Sequence, residues 1–126
     1  MNTTPVEVLL EVQSASHGEI FAVVTYRNRG AQDVWILRDP PSVFLFHDGR
    51  EVPDIGRSEK RRAYTLADHE RVPPNSETVR QQDITRKFAW LPGRRKYELV
   101  TGGGYVDPRN GFEYPGPPVR VVFERG

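Results

Sequence analysis

The stretch VEVLLEVQSASHGEIFAVVTYRNRG, residues 6–30, decides the fold. Its first part sets Val6, Val8, Leu10 and Val12 against Glu7, Glu11 and Gln13, with Leu9 the exception. Alternation of period two places successive side chains on opposite faces of an extended strand. SASHG (14–18) reads as a turn, and the chain resumes with Ile20, Ala22, Val24 and Tyr26 on one face of a second strand. Asn28 and Gly30 suit the left-handed conformations that end such a run.

The same texture recurs outward from this pair. DVWILR (33–38) is a third strand stopped by the prolines that follow it, since proline donates no ladder bond. SVFLFHDGREVP (42–53) reads as a hairpin about Asp48-Gly49, a strong two-residue turn signal. Residues 61–84 hold two or three short strands around the PPNS turn, and 94–100 and 119–125 complete the series. Only DITRKFAW (83–90) has room for a helical turn, capped by Asp83 or Thr85. Seven to nine short strands with almost no helical periodicity predict one all-β domain over residues 1–126, a two-sheet antiparallel immunoglobulin-like sandwich. The core expected from the alternation is Val8, Leu10, Ile20, Ala22, Val24, Tyr26, Trp35, Leu37, Phe44, Phe46, Tyr97, Leu99, Val121 and Phe123.

Composition narrows the function classes. The chain has 126 residues, 37% hydrophobic and 28% charged, with a formal net charge of +1 and no cysteine. Disulfides, thiolate metal sites and a cysteine nucleophile are therefore excluded. No basic leader or membrane-length apolar run is visible, so the expectation is a soluble cytoplasmic protein unless a leader has been removed. His17, His47 and His69 lack metal-ligand spacing, and neither a nucleophile elbow nor a phosphate-binding glycine loop is present. The expectation is a protein without cofactor, metal or catalytic activity.

Charge is uneven along the chain. Residues 57–99 carry eleven Lys or Arg against six Asp or Glu, which makes Lys60, Arg61 and Arg62 a secondary basic face. Aromatics beside the clusters KRRAY, RKFAW and RRKY would suit single-stranded nucleic acid. The local excess of five positive charges is modest, and strand arginines that snorkel or pair with acids account for it.

The segments YRNRG (26–30), VFLFHDGREVPDIGRSEKR (43–61), VPPNS (72–76), DITRKFAW (83–90) and LPGRRKYELV (91–100) together resemble a known type of domain. It is the immunoglobulin-like domain that precedes the catalytic domain in some deuterolysin-like, peptidyl-Lys-type metalloendopeptidases. The catalytic helix of those enzymes needs HExxH, which this chain lacks. The resemblance therefore implies an accessory or stand-alone domain. A vaguer likeness, in strand order and absence of cysteine, is to the intracellular proteinase inhibitor of bacilli.

The segment VTGGGYVDPRNGFEYPGPPVR (100–120) interrupts the strand texture. Loops on a sandwich are held at both ends and commonly carry binding. Tyr105, Asp107, Arg109, Asn110, Phe112 and Tyr114 are the candidate partner-binding residues, with a β-turn at 107–111 showing Arg109 and Asn110 outward. The competing reading is a structural plug, with Phe112 and Tyr114 tucked under the sheets. The function expected is a non-enzymatic protein-binding module: an inhibitor, an immunity-type protein or an accessory domain. The alternatives are a small enzyme with a site dispersed over Asp107, Arg109 and His69, or a structural protein that dimerises through an edge strand.

Overall fold

The computed structural model describes residues 5–56, 64–114 and 116–125. Among them the chain is all-β and antiparallel. Its strands are β1 (Val6–Ser14), β2 (Ile20–Asn28), β3 (Val34–Leu37), β4 (Val43–His47), β5 (Arg50–Val52), β6 (His69–Val72), β7 (Glu77–Asp83), β8 (Arg95–Thr101), β9 (Tyr105–Val106), β10 (Glu113–Tyr114) and β11 (Val119–Arg125). No helix is long and apolar enough to cross a membrane among the described residues.

Four sheets result: β1-β2-β7, β11-β8-β4-β5, and the two-stranded pairs β3-β6 and β9-β10. The β1–β2 register runs unbroken from Val6 opposite Asn28 to Ser14 opposite Ile20. The β4–β5 turn places both Asp48 and Gly49 at positive φ, the backbone twist that a tight hairpin needs. In place of a helical turn at 83–90, the chain makes a tight turn in which Asp83 Oδ1 accepts the Thr85 N–H, and Phe88 bridges to Asp54. A 3-10 turn lies instead at Leu66–Asp68, where Thr65 and Asp68 form a capping box.

The inner face of β1-β2-β7 is shared between two clusters. Ile20 and Ala22 meet Val43, Leu45, Val52, Tyr97 and Leu99 of the four-stranded sheet, closed by Ile84 and Phe88. Further along the same strands, Val6, Val24 and Tyr26 meet Val34, Ile36 and Val72 of the β3-β6 pair. The first cluster thus joins the two larger sheets, and the second joins β1-β2-β7 to the small pair.

The β3-β6 pair shares no ladder with either larger sheet, so side chains attach it. Arg80 of β7 is 9% exposed. It donates to the Leu37 carbonyl at 2.9 Å and to Thr78 Oγ1 at 2.7 Å, and it pairs with Glu70 at 3.0 Å. Thr78 in turn donates to Glu70 at 2.6 Å. The Thr78 hydroxyl, then Arg80, hold the Glu70 carboxyl below the usual carboxylate range against its partial burial. Asn28 adds a second tie. Its amide donates to the carbonyls of Gln32 and Val72, and its oxygen accepts the Gly30 N–H.

Two strands take the opposite register to the expected one. Val34 and Ile36 are buried in β3, with Trp35 and Leu37 only half-buried, and Val43 and Leu45 are buried in β4, with Phe44 48% exposed and Phe46 half-buried. VWIL and VFLF are apolar at every position, so alternation carries no register information there, and residue size favoured the wrong face. The other expected core positions are buried or packed against the core.

Leu45→Ala should therefore cost about 2–5 kcal/mol and Phe44→Ala less than about 1 kcal/mol in denaturant unfolding. Arg80→Ala should cost about 1.5–3 kcal/mol, because the Leu37 carbonyl and Glu70 lose a charged donor.

Candidate functional site: the 105–114 hairpin

The irregular segment after β8 is a small hairpin. Tyr105 and Val106 pair with Tyr114 and Glu113, and the two tyrosine rings stack at 4.9 Å with their planes 8° apart. The Asp107 N–H bonds the Phe112 carbonyl, and the Gly111 N–H returns to the Asp107 carbonyl at 2.8 Å, which makes the turn one residue wider than a β-turn. Gly111 supplies the positive φ that closes it.

The base of the hairpin is a close crossing of backbones. A Cβ on Gly103 would collide with the Pro117 carbonyl, and one on Gly116 would collide with the Gly103 carbonyl. Only glycine permits that approach.

Asp107 is buried and governs the tip. Its Oδ1 accepts the backbone N–H and the Nε of Arg109 at 2.9 and 3.1 Å, and its Oδ2 accepts the Arg109 Nη2 at 2.8 Å. This fork folds the guanidinium back until its carbon lies 4.0 Å from the centre of the Trp35 ring. The Arg109 bonds hold the Asp107 carboxyl below its usual range, with lesser help from the neighbouring His69. Asp107 in turn raises the Arg109 pKa. Burial, the neighbouring Tyr114 and the Asp107 charge push the Tyr105 hydroxyl up to about 12, so it stays protonated.

Arg109 is exposed at the tip as expected, with its side chain folded back onto Asp107 and the Trp35 ring. Asn110 is exposed, but its Oδ1 accepts the Phe112 N–H and shapes the turn. Tyr105 packs against the cluster that contains Val34 and Ile36, as a plug would. Phe112 does not tuck under the sheets. It is 64% exposed and Val106 is 49% exposed, which leaves an apolar tip on a pinned frame. Sequence reading missed Val106 and the platform role of Trp35. The proximity of apolar Val106 to the turn was the available signal for the first. Lys60, Arg61 and Arg62, the secondary basic face, lie outside the described residues.

Asp107 and Arg109 do converge, with His69 near enough to favour the Asp107 charge. The His69 ring is committed to the Thr65 carbonyl, with Nδ1 at 2.7 Å. No group of three His, Asp or Glu side chains gathers as a metal site among the described residues. No protein-family model and no curated protein matches the chain.

A carboxyl whose folded pKa lies below its unfolded one stabilises the fold fully above the ordinary carboxylate range, and that contribution fades as pH falls through the folded value. Asp107 is such a group. Asp107→Asn should lower stability at neutral pH and flatten the loss of stability seen below about pH 4, read by thermal melts across an acid series.

Proposed function

We propose that the chain is a non-enzymatic protein-binding module whose contact surface is the tip of the β9–β10 hairpin. The observation that carries this reading is the pairing of a fixed frame with an exposed apolar end. Tyr105, Tyr114, Asp107, Arg109 and Trp35 fasten one another, while Val106 and Phe112 face outward. A pinned hairpin loses little conformational entropy on docking, and an exposed aromatic on such a frame is the kind of group that anchors interfaces.

The strand orders β1-β2-β7 and β11-β8-β4-β5 support reading the two larger sheets as an immunoglobulin-like sandwich. In that reading the hairpin lies between the last two long strands, a position where sandwiches display binding loops. The lack of an HExxH segment agrees with an accessory or stand-alone role.

The double variant Val106→Ser with Phe112→Ala removes the apolar tip and leaves the frame intact, so its melting temperature should stay near that of the wild type. Proteins from the native host retained on the immobilised wild type should bind this variant weaker by about 2 kcal/mol or more. Equal retention by both, or none by the wild type, overturns the proposal. Excising residues 104–115 provides a second test, since the Gly103 and Gly116 backbones already touch. A folded excision variant that still retains the same proteins moves the contact surface elsewhere.

A further inference from the structure

The strand β11, VRVVFER, ends the four-stranded sheet and, among the described residues, pairs only with β8. Strand β1 of the facing sheet comes close to it without forming a ladder. An edge strand of seven residues is an open template for another strand unless the sequence blunts it. Of the usual devices this strand carries only charge, at Arg120, Glu124 and Arg125; Pro117 and Pro118 stop short of it, and it contains no proline, glycine or lysine.

Its two faces differ. Val121 and Phe123 pack on the core, while Arg120, Val122 and Glu124 point to the outer face, where Val122 is 53% exposed. The outward order is cation, valine, anion. That order is self-complementary under a twofold axis. When two such strands run antiparallel with Val122 opposite Val122, Arg120 falls opposite Glu124 at both ends, and Val121 falls opposite Phe123 on the core side.

Other registers fail. A shift of one residue would set core-facing side chains against outward ones, and a shift of two would set a charged residue opposite Val122. Within the chain Arg120 already pairs with Glu98 at 2.8 Å, and Arg94 pairs with Glu124 at 2.7 Å. Pairing about Val122 would join these into two rows of alternating sign, Glu98, Arg120, then Glu124 and Arg94 of the second copy. The exposed Phe44 lies two strands away on the same outer face, in the row of Val100 and Arg120.

We propose that the free edge of β11 is an interface with a second copy of this chain, formed by antiparallel β11 pairing about a twofold axis at Val122. The closing experiment is sedimentation equilibrium over a wide concentration series, with folding of each variant checked by thermal melt. The wild type should show a monomer–dimer equilibrium. Arg120→Glu alone and Glu124→Arg alone each place like charges opposite one another twice, and each should weaken the dimer by about tenfold or more. The double variant Arg120→Glu with Glu124→Arg restores opposite charges at both places and should recover most of the lost association. A wild type that stays monomeric throughout overturns the proposal. So do single variants that dimerise as the wild type does, and a folded double variant no better than the singles.

Discussion

The buried guanidinium of Arg80 is the interaction on which the rest of the molecule depends. The β3-β6 pair has no backbone bond to either larger sheet, so its place is fixed by apolar packing, by Asn28 and by this one cation. Burying a charge is costly unless its donors are used, and here carbonyls of β3, the Thr78 hydroxyl and Glu70 use them. The consequence is directional. Arg80 fixes β3, β3 carries Trp35, Trp35 seats Arg109, and Arg109 fastens the hairpin through Asp107. A buried polar tie thereby sets the posture of a surface element built from residues far along the chain.

The hairpin unites two roles that looked like alternatives. One strand of it, through Tyr105, is packed into the second core cluster, and its turn projects Phe112. Such a division makes physical sense, because a short two-stranded ribbon is marginal in water without support from elsewhere. The stacked tyrosines and the Asp107 fork supply that support locally, and the Trp35 contact supplies it from the body of the protein.

Much of the fold was legible because charged and apolar residues alternate in β1, β8 and β11, so a period-two reading places strands and faces together. Where the alternation vanishes, as in VWIL and VFLF, strand position remained readable and the buried face did not. The turn at Asp107–Gly111 could be read from its proline and glycine. The folding back of Arg109 could not, because it depends on Trp35, more than seventy residues earlier. The 3-10 turn at Leu66–Asp68 was likewise hidden among residues whose pattern favours strands, although Thr65 and Asp68 have the spacing of a capping box.

The glycine crossing at the base of the hairpin has a consequence for how this molecule can change over time. The chain leaves β8 and returns to β11 through two backbones that already touch, at Gly103 and Gly116. What lies between them is closed at its root whatever its length, and lengthening a closed loop adds only slowly to its entropic cost. The crossing thus fixes the doorway, while Tyr105 and Arg109 tie the present content to the second cluster and to Trp35. Changes of length between these two glycines can therefore be absorbed while the ladder between β8 and β11 stays in register.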